Sequence, residues 1–174
     1  MSSCKKMADL GRRQFLRGGA MAAAGTAAAA VAPSRPKAAN RARVDYPSTR
    51  LGNVADLKTD APMDIEYPDA DSPGVLIKLG TRVPGGAGPD GDIVAYSTLC
   101  PHKGFQVIYN AADKTLNCPG HYSRFDAELE GQQIHGMSNQ SLPMFALRIE
   151  ANGDIFAEGV DELIYGRTSN VLAG

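Results

Sequence analysis

The chain has little cysteine and little histidine, three of each among 174 residues. Three cysteines cannot staple a fold of this size, and one of them, Cys4, sits at the extreme N-terminus, which excludes a disulfide-built scaffold. The length falls short of two full domains at ~150 residues each, so one domain with a short tail is expected. No window beyond the N-terminal segment keeps a helical period and no internal repeat is visible, which argues against a helical bundle. Positive charge is also scarce in the body. Seven of the 18 Lys and Arg residues lie in residues 1–39 against one acid there, Asp9, leaving residues 40–174 with 11 basic and 18 acidic groups, net −7. An acidic body speaks against nucleic-acid binding. What the chain has in quantity is turn formers, 19 Gly and 11 Pro, within a globular balance of 43% hydrophobic and 21% charged residues.

Residues 1–39 stand apart by composition. A basic stretch (Lys5, Lys6, Arg12, Arg13, Arg17) precedes Gly18–Ala32, which is almost entirely Ala, Gly, Met, Thr and Val, and a Pro/Ser/Lys spacer follows. That order is the layout of an export signal. The run Gly11-Arg12-Arg13-Gln14-Phe15-Leu16-Arg17 resembles the twin-arginine signal, in which two adjacent arginines precede an apolar pair and a weakly apolar segment. The resemblance implies export of a protein that has already folded around a prosthetic group, and a periplasmic location. About 15 weakly apolar residues fall short of the ~20 that a spanning helix needs, so cleavage and at most a peripheral membrane contact are expected.

From Val44 onward apolar residues recur at period two in short runs broken by turn signals, the pattern of an antiparallel all-β domain. The predicted strands are Gly74–Leu79, Asp92–Ser97, Gln106–Tyr109, Thr115–Asn117, Phe145–Glu150 and Ile155–Glu158. The last two flank Ala151-Asn152-Gly153-Asp154, whose Asn-Gly pair predicts a type I′ hairpin. Val83–Gly91 reads as a flexible connection, and short helices fit Asn53–Leu57 and Asp161–Ile164.

Four of the five Cys and His residues of the body fall in two boxes, Cys100-Pro101-His102-Lys103-Gly104 and Cys118-Pro119-Gly120-His121, with their cysteines 18 residues apart. Each box follows a strand signal, so both belong to loops at one end of a sheet, where they can converge on a metal. Two Cys and two His could form a tetrahedral zinc site, although a Cys₂His₂ finger takes its His pair from a helix and here each His sits in a Gly/Pro loop with a Cys. A Cys/His nucleophile pair would leave the second box unexplained.

The pattern C-x-H-x-G followed by C-x-x-H-x-S resembles the Rieske 2Fe-2S motif, and Ser123-Arg124-Phe125-Asp126 extends the likeness. The resemblance implies the Rieske fold, three small antiparallel sheets with a cluster-binding subdomain (about 98–143) inserted into a base within a domain of residues 40–174. It also implies that Cys100 and Cys118 ligate the buried iron, that His102 and His121 ligate the outer iron, and that Ser123 donates to a bridging sulfide. Gly136–Pro143 would match the loop that shields the cluster. Exchanging two thiolates for neutral imidazoles makes reduction easier, with Rieske centres at roughly −150 to +300 mV against about −400 mV for all-Cys plant-type ferredoxins. The second nitrogen of each imidazole is then free for solvent or a partner, which couples electron uptake to a proton, so the potential should fall as pH rises.

Two positions depart from the family pattern. Many Rieske proteins join their two loops by a disulfide at the positions of Phe105 and Gly120, and the high-potential members carry Tyr at the position of Phe125. Phe105 is expected to fill the space of the missing bridge, and Phe125, which cannot donate to a sulfur, implies an intermediate potential. The third histidine, His135, reads as a surface residue, while Lys103 and Arg124 read as solvated. Signal and boxes together resemble the Rieske subunit of bacterial arsenite oxidase, along essentially the whole chain. That implies a heterodimer whose molybdopterin-containing large subunit oxidises arsenite and sends electrons through this chain to a periplasmic cytochrome c or copper protein, with no substrate site here. A quinol-oxidising cytochrome bc subunit and a free periplasmic carrier are the alternatives.

Overall fold

The structure is a computed structural model and describes residues 45–171. The export signal expected in residues 1–39 lies outside the described residues. Ten strands form three antiparallel sheets, and the described part contains no α-helix. The first sheet has the order β1 (Thr49–Asn53), β10 (Asp154–Val160), β9 (Phe145–Ile149), and the second β2 (Met63–Glu66), β3 (Pro73–Lys78), β4 (Ile93–Ser97). The third runs β5 (Ile108–Asn110), β6 (Thr115–Asn117), β7 (Arg124–Asp126), β8 (Gln132–His135), and in the chain it falls entirely between β4 and β9.

The second sheet is the middle layer, and the alternation of side chains along its strands shows why. Leu76, Ile93 and Ala95 point into a core shared with Phe145, Ile155 and Ala157 of the first sheet. Their neighbours Val75, Ile77, Val94 and Tyr96 point the other way, into a core shared with Leu116, Phe125 and both cysteines of the boxes. Being buried on both faces, β3 and β4 read as continuous apolar runs rather than alternating ones.

The strands read from the sequence in the core are present, and the edge strands β1, β2 and β8 and the interior strand β7 are additional. The run at Gln106–Tyr109 divides: Gln106 bridges Leu99 and the Val107 N–H donates to the Thr98 carbonyl (2.8 Å), so only Ile108–Asn110 pairs with β6. At the β9–β10 turn Gly153 alone takes a positive φ (+87°), so the hairpin is not type I′. The Gly153 N–H donates to Glu150 O and the Asn152 side chain accepts from Asp154 N–H, which closes a longer loop. The short helix expected at Asn53–Leu57 is present as a 3₁₀ helix, Val54–Asp56, capped by Asn53 and Leu57, whereas Asp161–Ile164 is irregular. The connection at Val83–Gly91 is folded on itself by Val83 N–H to Gly91 O (2.9 Å) and by Gly86 N–H to Val83 O (3.1 Å).

Candidate metal centre

The two boxes sit on loops of the same construction. In each, the cysteine N–H donates to the carbonyl five residues on (Cys100 to Phe105, 2.9 Å; Cys118 to Ser123, 2.8 Å). Its carbonyl in turn accepts from the N–H four residues on (Gly104, 2.8 Å; Tyr122, 3.1 Å). Such closure needs a positive φ at the fourth position, taken by Gly104 (+71°) without penalty and by Tyr122 (+60°) at a cost of roughly 1–2 kcal/mol. The loops therefore present matched cysteines inward from β4 and from β6.

Both thiols are buried in the core behind the loops, whereas His121 is exposed and His102 half-buried. Burial raises the Cys100 thiol pKa, and the neighbouring Cys118 thiol raises it further. The two imidazoles stand edge to face with ring centroids 4.7 Å apart. His102 Nδ1 is a buried nitrogen with no hydrogen-bond partner, the one such side-chain atom among the described residues. An orphaned nitrogen next to a second imidazole, above paired thiols, is the donor set a binuclear iron cluster requires, with two sulfurs for one iron and two nitrogens for the other.

Three features hold the loops. Ser123, fully buried, accepts from the Met137 N–H (3.1 Å) and the Ser138 N–H (2.9 Å) at its Oγ, tying the 136–143 segment to the second box and leaving its own proton to donate. Gly136 allows this approach, because a Cβ there would lie 2.4 Å from Ser123 Cα. Phe105 lies on Gly120, where a Cβ would come within 2.8 Å of its ring, and meets the His121 ring edge to face at 5.7 Å. Phe105 thus occupies the gap between the loops, as expected. Phe125 is fully buried in the core that holds both cysteines.

His135 is exposed on β8, as read from the sequence. Arg124 is more engaged than expected, donating from Nη2 to Asp113 (2.5 Å) and from Nε to Asn117 (3.0 Å). A groove of about 670 Å³ between β2 and β5, lined by Asp64, Glu66, Thr98, Gln106 and Ile108 among others, includes none of the four donors. Sequence reasoning missed Tyr165, whose ring packs on Gly104; nothing in its own neighbourhood marks it, since the contact joins residues far apart in the chain.

Fold and donor set together define an iron-sulfur electron-transfer domain, and the comparisons agree. Residues 48–146 match the Rieske [2Fe-2S] domain, and the chain belongs to that family and carries a Rieske-type 2Fe-2S cluster. It is 39% identical over 168 residues to iodate reductase subunit IdrB of Denitromonas iodatirespirans, covering 94% of this chain and 88% of that protein. The same subunit of Pseudomonas sp. strain SCT is 36% identical over 91% of this chain and 83% of its own length. Among solved structures, the soluble domain of Rieske protein II (soxF) from Sulfolobus acidocaldarius superposes with a TM-score of 0.63 at 22% identity, covering 71% of this chain and 82% of that one, a likeness of fold.

Proposed function

We propose that the chain is the electron-transfer subunit of an exported molybdenum oxidoreductase, in which Cys100 and Cys118 hold one iron and His102 and His121 the other. The observation that carries this reading is the convergence of two buried thiols and two outward imidazoles, one of them with an unpartnered buried nitrogen. When bound, the cluster supplies a one-electron couple. The protein's part is to bury the thiol side in the core, to offer the imidazole edge to a partner, and to leave the Ser123 hydroxyl proton free for a cluster sulfur.

The substrate we assign is arsenite. A molybdopterin-containing large subunit oxidises it, and this chain passes the electrons to a cytochrome c or copper protein of the periplasm, where a twin-arginine signal in residues 1–39 delivers it. Support comes from the signal and from the paired Phe105 and Gly120, which resemble arsenite oxidase small subunits lacking the disulfide. A second reading, iodate reduction, is favoured by the near full-length likeness to two iodate reductase subunits, and it reverses the electron flow.

The test is to isolate the native protein from the periplasmic fraction, assay molybdenum and iron, and record EPR spectra after arsenite alone and after iodate is added to reduced protein. Molybdenum with a Rieske signal that appears on arsenite is the expected result. A signal that iodate abolishes and arsenite never raises would establish the second reading. A lone, molybdenum-free chain reduced only by quinol or dithionite would sink the subunit assignment in favour of a quinol-oxidising or free carrier.

A further inference from the structure

The two boxes are built alike but braced differently. The second box is tied from outside by two hydrogen bonds to Ser123, whereas among the described residues the first has no such tie and the loops share no disulfide. What lies on the first box is the ring of Tyr165: a Cβ on Gly104 would meet Tyr165 Cδ1 and Cε1 at 2.6 Å. Tyr165 belongs to the irregular segment after β10, which would be loose without anchors and has several. Ile164 is fully buried, and its N–H donates to the Asn170 side chain (2.9 Å). Asn170, also buried, donates in turn to Glu162 O (2.8 Å) and the Tyr46 hydroxyl (3.1 Å). Arg167 grips Asp69 with both terminal nitrogens (2.7 and 2.6 Å). At the start of the segment the Asp161 carboxylate accepts from the Met144 N–H (2.7 Å), and the Asp161 N–H donates to Met144 O (3.2 Å).

We propose that residues 161–171 form a strap fastened to the base sheets, and that Tyr165 on this strap is a positioning residue that braces the Cys100–His102 loop through Gly104. The ring closes the outer face of a loop whose glycine cannot carry a side chain of its own, and it fixes the backbone between His102 and Phe105. Packing does this work, not the hydroxyl, which makes no hydrogen bond within the described residues.

The inference rests on the proposed ligand set, and the experiment separates the two. Full-length holoprotein is prepared as wild type, Tyr165→Phe and Tyr165→Ala, with Tyr165→Leu in reserve if the Ala variant does not fold. Pulsed EPR reads the couplings of the two ligating nitrogens, and loss of the visible cluster absorption in excess chelator gives a release rate. In Tyr165→Ala one nitrogen coupling shifts while the other holds, and release is at least fivefold faster; Tyr165→Phe stays within twofold of wild type with unchanged couplings. A wild-type spectrum without two nitrogen couplings would overturn the ligand set. Two wild-type couplings that Tyr165→Ala leaves unmoved, with unchanged release, would overturn the brace alone. A general loss of stability with both couplings unmoved would make Tyr165 an ordinary packing residue, and the proposal would fall.

Discussion

At the residue scale the site turns on which polar atoms find partners. Ser123 Oγ is saturated as an acceptor by two amides of the 136–143 segment, so its single proton is free for a cluster sulfur. Phe125 sits in the core with both cysteines and offers no proton. Phe125→Tyr should therefore raise the midpoint potential, because a hydrogen bond to sulfur favours the more negatively charged reduced state. A net bond of about 1 kcal/mol corresponds to roughly 40 mV in a one-electron couple. A redox titration of holoprotein checks it: an unmoved or lowered midpoint would contradict the argument. A fall in stability is expected alongside, since the added hydroxyl enters a fully packed position.

At the element scale the question is how two loops hold together without a covalent tie. Phe105 and Gly120 adjoin so closely that no side chain at 120 fits beside the ring. Phe105→Cys with Gly120→Cys should form a bridge that encloses about 15 residues, worth roughly 3 kcal/mol by chain entropy and partly offset by the loss of the ring. The free-thiol count of the denatured, metal-free double variant checks it; a count including both new thiols would mean no bridge. The two Cys/His boxes and the Phe105 substitution were legible in the sequence because they lie within short runs of distinctive residue types. The buried strands were legible for the same local reason, as short apolar runs between turn signals, although β3 and β4 are buried on both faces where a period of two was read. Strands β7 and β8 were not, because Arg124–Asp126 and Gln132–His135 carry mixed polar sequences whose pairing is decided by the neighbouring strand, β6 for β7 and β7 for β8. The hairpin at Asn152-Gly153 was placed correctly but given the wrong turn, since Asn-Gly permits two positive φ angles without requiring them. The strap escaped for a deeper reason. Its anchors reach from Arg167 to Asp69 and from Asn170 to Tyr46, and no local pattern encodes such pairs.

At the scale of the whole molecule two cores share the middle sheet, and they do not depend equally on iron. One is wholly aliphatic and aromatic, built from Leu76, Ile93, Phe145, Ile155 and Ile164, with Tyr67 edge-on to Phe145 at 5.3 Å. The other includes Cys100 and Cys118 among its buried members, beside Val107, Leu116 and Phe125. Removing the cluster would return two thiols to this core, that of Cys100 with its pKa raised by burial, and would release both histidines. The third sheet is small, with three-residue strands β5, β6 and β7, and side-chain hydrogen bonds also attach it to the base. They include the Lys114 ammonium on Leu79 O and Asp60, the Tyr109 hydroxyl on Asp60 (3.0 Å) and the Tyr96 hydroxyl on Ala127 O (3.0 Å). Chelation should thus loosen the cluster-bearing part while the base sandwich stays folded, because separate cores open as separate units. Hydrogen exchange on chelated protein checks it. Amides of residues 99–142 should lose protection by at least tenfold while those of β3, β9 and β10 keep theirs; equal loss throughout would show that the metal holds the whole domain, and no loss that the loops are set by packing alone.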